Sequence, residues 1–153
     1  MAYRATVVAM MLALALAVPA LIPTETLAGE DRLEGMARHK LNSIRAQSGA
    51  RPMRRSRALT RSASAYARFM ARNRYFGHLS RIRGPGKFSQ LGETILVHPG
   101  RGKPRVAVRN WMSSPPHRAI LLSNSFRSVG IGKVRGRFGG RRVTFWVAHV
   151  GRR

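Results

Sequence analysis

The chain has 153 residues, 29 lysines and arginines against 5 aspartates and glutamates, a formal charge of +24, and no cysteine. That length suits one domain with one core, and the missing thiols exclude a disulfide framework, a thiolate metal site and a cysteine nucleophile. After Glu34 the sole carboxylate is Glu93, whereas every basic residue except Arg4 and Arg32 follows Glu34, so acid chemistry in the body of the domain falls to Glu93 and the surface attracts polyanions.

The first 28 residues differ from the rest: Arg4 precedes an apolar run from Ala5 to Val18, broken by Pro19 and Pro23. This is the pattern of a secretory signal peptide. Ala28, with Thr26 two positions before it, sets the expected cleavage before Gly29; Val18-Pro19-Ala20 offers a second site. The run is shorter than the ~20 residues of a spanning helix, and an uncleaved anchor is the alternative. Residues 29–153 are expected to form one monomeric domain, secreted or held on the outer face of the envelope.

From Glu30 to Gln47, Leu33, Met36, Ala37, Leu41 and Ile44 recur at three- and four-residue steps, with acids near the start and Lys40 and Arg45 near the end. The spacing predicts an amphipathic helix whose charges complement its dipole. Gly49 and Pro52 end it. A second helix begins after Ser56 and runs to about Arg74, presenting Leu59, Ala63, Tyr66, Phe69, Met70 and Asn73. Gly84, Pro85 and Gly86 mark Leu79 to Gln90 as a loop. Leu91 to Val97 is short and apolar, and periodicity leaves strand and helical turn both open.

After the Pro99 to Pro104 linker, Val106, Ala107, Val108, Trp111 and Met112 suggest a third helix, and Ser114 before Pro115 reads as the N-cap of a fourth with His117 in its first turn. The period then becomes two: Val129, Ile131, Lys133 and Arg135, and later Val143, Phe145, Val147 and His149, predict two strands joined across Gly136, Gly139 and Gly140. Helices first and strands last argue an α+β layered domain.

The segments Leu41-Asn42-Ser43-Ile44-Arg45, Tyr75-Phe76-Gly77-His78, Gly92-Glu93, Trp111-Met112-Ser113-Ser114-Pro115-Pro116-His117-Arg118, Val129-Gly130-Ile131-Gly132 and Phe145-Trp146-Val147 occur in one order. Together they resemble the bacterial SCP-like extracellular branch of the CAP superfamily (cysteine-rich secretory proteins, antigen 5 and pathogenesis-related proteins), from Leu33 to Gly151. The resemblance implies an α-β-α sandwich, a small antiparallel sheet flanked by helices, with a cleft where two histidines and one or two carboxylates meet. Carried onto this chain, the histidines are His78 and His117 and the carboxylate is Glu93. The second carboxylate falls on Ser114, whose hydroxyl is a poor zinc ligand.

Two neutral imidazoles and one carboxylate, His78, His117 and Glu93, are a permissible set for zinc with water in the fourth position. If Glu93 binds metal, no other carboxylate in the domain body remains as general base, which weighs against hydrolysis. No catalytic residue is assigned, and calcium is poorly served by a single carboxylate. Without metal, an ionised Glu93 between imidazoles can fasten elements together. His39, His98 and His149 are expected on the surface or in packing, and Trp111, Trp146, Phe69, Tyr75 and Phe76 in the core.

The leading expectation is a secreted binding module for an anionic envelope glycan or lipid. The competing readings are a metal-dependent hydrolase on His78, Glu93 and His117, and a nonspecific binder of polyanions or nucleic acid. Specific nucleic-acid recognition is not expected, because no RNP motif, zinc finger or clear helix-turn-helix is present.

Overall fold

The computed structural model describes residues 24–82 and 88–153, with side chains from Asp31 onward. The expected leader lies outside the described residues except for Thr24 to Ala28, which form the beginning of helix α1 (Thr24–Gln47). There follow β1 (Arg54–Arg55), α2 (Arg57–Asn73), β2 (Gln90–Pro99), α3 (Pro104–Ser113), α4 (Pro115–Leu122), β3 (Ser128–Phe138) and β4 (Arg141–Arg152). Among the described residues no helix is long and apolar enough to cross a membrane.

The strand order is β1-β3-β4-β2. β4 is antiparallel to both β2 and β3, and β1 adds a two-residue parallel edge beside β3, with Arg54 opposite Ser128 and Arg55 opposite Val129. The three long strands form the small antiparallel sheet expected, and the short parallel edge has no hydrophobic alternation that could have announced it. The Leu91 to Val97 passage is strand: Gln90 to Pro99 pairs along its whole length with β4, so long-range pairing decides what local periodicity could not.

Because successive strand side chains face opposite ways, β4 supplies two cores. Trp146, Ala148 and Val150 pack with Leu41 of α1, Val108 and Trp111 of α3 and Leu121 of α4. Val143, Phe145 and Val147 face Ala63, Tyr66, Ala67 and Met70 of α2. The result is α2 on one side of the sheet and α1, α3 and α4 on the other, an α-β-α sandwich.

α2 lies directly on β3. A Cβ at Gly130 would stand 2.0 Å from the Thr60 amide nitrogen, and one at Gly132 would stand 2.4 Å from that of Ser64. The pair of glycines thus sets the helix-to-sheet distance. At its start α2 is capped by Ser56, whose hydroxyl accepts from the Leu59 amide at 3.4 Å. At its end Arg74 adopts the left-handed conformation, φ 50°, and turns the chain toward His78.

Arg45, in the last turn of α1, is fully buried. Its guanidinium donates to the carbonyls of Arg51 (2.7 Å), Leu121, Ser123 (3.1 Å) and Phe126 (3.4 Å). One side chain therefore ties the end of α1 to the segment joining α4 and β3. Burial, with Arg127 nearby, lowers its pKa.

Candidate functional site

Glu93 lies on β2 directly opposite His149 on β4, and both face the α2 layer. His149 is fully buried and meets Glu93 Oε2 through Nε2 at 3.0 Å. Its Nδ1 lies 3.0 Å from Ser62 Oγ on α2. With Glu93 ionised, Nε2–H donates to the carboxylate, and the Ser62 hydroxyl holds the other ring nitrogen.

The second carboxylate oxygen is also engaged. His78, in the segment after α2, places Nδ1 2.9 Å from Glu93 Oε1, and the Leu79 amide donates to the same oxygen at 3.1 Å. Burial on its own would raise the Glu93 pKa, but hydrogen bonds from His149, His78 and the Leu79 amide outweigh it and hold the carboxyl below its ordinary value. Glu93 is consequently an anion clamped from three sides.

His117, in the first turn of α4, approaches from the other helix layer. Its ring centroid is 5.7 Å from that of His78, so the two imidazoles meet beside β2, the outer strand. Burial, and then His78, lower the His117 pKa against a weaker opposing pull from Glu93. Ser114 caps α4 by position only: its carbonyl accepts from the Arg118 amide at 2.8 Å, but its hydroxyl makes no capping bond. Pro115 and Pro116 remove the first two helix amides, which leaves the His117 amide as the one cap donor of the first turn, and the Ser114 hydroxyl does not take it.

Around this centre the Tyr66 hydroxyl donates to the Gly77 carbonyl, anchoring the segment that carries His78. Burial, Glu93 and Tyr75 push the Tyr66 pKa up to about 12, so the phenol stays a donor. Next to it a shallow cavity of about 460 Å³ is bordered by Ser62, Tyr66, Phe69, Leu79 and Arg81.

The structure thus brings His78, Glu93 and His117 into one neighbourhood and adds His149 and Ser62, which sequence reasoning missed. The signal available was alternation, which puts His149 in phase with Phe145 and Val147; the register that sets it against Glu93 is not written in either strand alone. Phe69, Tyr75 and Phe76, expected in the core, are instead exposed, with Phe69 stacked on Tyr66 and edge-on to Tyr75. The two tryptophans are fully buried as expected.

As a metal centre the donor set does not supply three ligands in this arrangement. Both Glu93 oxygens are occupied by hydrogen bonds, and among the described residues no group of three His, Cys, Asp or Glu is disposed to hold an ion. The two imidazoles at the surface remain, with Glu93 orienting His78 from behind.

The family model described as CAP, the cysteine-rich secretory protein family, matches residues 38–150. The chain is 29% identical over 102 residues to the uncharacterized protein YkwD of Bacillus subtilis, covering 61% of this chain and 39% of that protein. It is 29% identical over 100 residues to the uncharacterized membrane protein YlbC of the same organism, covering 60% and 28%. It therefore spans well under half of either relative. The fold is similar to that of an extracellular protein containing an SCP domain from Bacillus anthracis, at a TM-score of 0.69 and 21% identity over 87% of this chain and 44% of that one. An outer surface protein from Borrelia burgdorferi gives a TM-score of 0.63 at 17% identity, covering 78% and 91%. With the family model spanning most of its length, and two histidines gathered around a single clamped carboxylate, the chain belongs to the CAP, or cysteine-rich secretory protein, family.

Proposed function

We propose that this chain is a non-catalytic binding module that works outside the cell or on the outer face of the envelope, after removal of a leader before Gly29, and holds an anionic envelope polymer. The observation that carries this reading is the burial and engagement of Glu93: one oxygen accepts from His78 and the Leu79 amide, the other from His149, and the side chain is only 5% exposed. A general base needs a free lone pair aimed at a substrate proton. Glu93, the only carboxylate after Glu34, commits three of its roughly four acceptor positions to joining β2, β4 and the segment before the 83–87 stretch and is buried away from any substrate proton, so the centre is a fastening that shapes the surface around it. The leader-like start and the outer-surface and extracellular descriptions of similar structures support the location. The preponderance of basic residues supports an anionic partner.

The test is retention of the protein on purified anionic envelope glycan polymer across a salt series. The module should be held at low ionic strength and released by about 1 M salt, where the screening length falls to roughly 3 Å. Retention unchanged by salt, or turnover of the polymer that disappears in Glu93→Gln, would overturn the reading.

A further inference from the structure

A large cavity lies away from the histidines, at the end of the sheet where β1 meets the start of α2. It measures about 770 Å³, within the range of sites that take small ligands. β1 gives it Arg54 and Arg55, and α2 gives it Arg57 and Arg61. Arg127, just before β3, and Arg152 and Arg153, at and after the end of β4, complete the wall. All seven are exposed.

Charge of one sign at this density needs a counter-charge. Arg55 is paired with Asp31 at 2.8 Å. The elements that build the cavity, β1, α2, β3 and β4, carry no acidic residue at all, and Glu93 on β2 is bound to the histidines. The positive end of α2 adds to the same sign. Bringing so many guanidinium groups to one concavity costs mutual repulsion, which an anion of matching valence relieves. Arginine forks are suited to the paired oxygens of phosphate, each group giving two parallel hydrogen bonds. The shape also discriminates: a duplex or long polymer backbone calls for a stripe of cations along a face, whereas these converge on a pocket.

We infer that the cavity bounded by Arg54, Arg57, Arg61, Arg127 and Arg152 is a binding site for a compact anion carrying two or more phosphate groups. It rests on the reading of this chain as a binding module and names a chemical group that the module grips, at a place separate from the Glu93 centre.

The test titrates inorganic tripolyphosphate into the protein by calorimetry, at fixed ionic strength, with sulfate and single phosphate as comparisons. Arg57→Gln/Arg61→Gln should weaken tripolyphosphate at least about tenfold, as should Arg127→Gln/Arg152→Gln, through loss of paired charge-assisted contacts. A control of equal charge, Arg135→Gln/Arg137→Gln toward the opposite end of β3, should change it less than about twofold. Thermal melting checks that each variant is folded. Equal weakening in all three variants, or tripolyphosphate no tighter than sulfate, overturns the inference. A parallel arm with vesicles bearing a lipid phosphomonoester asks whether the phosphates come on a membrane or free; competition between vesicles and tripolyphosphate assigns them to the same pocket. Polymer retention that persists when tripolyphosphate fails to bind sinks this inference and leaves the binding-module reading standing.

Discussion

Glu93 and His117 push stability in the same direction with pH. The folded Glu93 pKa lies below its ordinary value, so its contribution is complete above the usual carboxylate range, near 4.3, and is lost as pH falls through and below that range. His117 is lowered from 6.5 by burial and by His78; the unfolded chain therefore takes up its proton first, and stability starts to fall below about pH 6.5. Melting temperature should decline from pH 7 to pH 4 in two stages. His117→Asn should flatten the upper stage and Glu93→Gln the lower one, the latter also costing about 2 kcal/mol at neutral pH. A Glu93→Gln melting curve parallel to that of the native protein at every pH would show that the carboxylate is not ionised in its clamp. Arg45→Met should cost about 3 kcal/mol by denaturant titration, since the buried carbonyls of Leu121 and Phe126 lose their charged donor. At this scale sequence legibility was uneven. His78, Glu93 and His117 were nameable from motif order, while the roles of His149 and Arg45 were not, because they depend on partners 56 and 76 residues away.

The helices were legible as elements because each carries its own apolar stripe and stop signals; α2 runs from Arg57 to Asn73 behind Ser56, close to the span read from sequence. β3 and β4 were legible from alternation on either side of the Gly139-Gly140 turn. β2 was ambiguous because a seven-residue passage with four apolar side chains, Leu91, Ile95, Leu96 and Val97, fits either period, and β1 was invisible because two arginines carry no pattern. The glycines of β3 make the sharpest prediction here. Gly130→Ala puts a methyl against the backbone of α2, which cannot yield as a flexible side chain would, and should destabilise by about 3 kcal/mol or prevent folding. Gly139→Ala, at φ 54° with open space around it, should cost only about 1 kcal/mol, from backbone conformation alone. Ser114→Ala is expected to fall below the ~1 kcal/mol of an ordinary N-cap loss, because its hydroxyl caps nothing.

Over the whole molecule, 29 basic residues against 5 acidic ones leave the folded state repelling itself at low ionic strength. Raising salt from about 10 mM to about 300 mM shortens the screening length severalfold, and the melting temperature should rise across that range in a non-coordinating chloride buffer. A flat response would mean that the charges are spaced too widely to burden the fold. The same excess explains why composition suggested an anionic partner yet could not say where: only the chain's path brings residues 54 to 61 next to 127 and 152. The sheet's outer margin carries one more consequence. β1 ends after two residues, both arginine and both facing solvent. Over the two residues that β1 covers, Ser128 and Val129, a neighbouring copy finds almost no ladder to extend and meets guanidinium with guanidinium, so this corner of the margin resists lateral annealing when copies are crowded together.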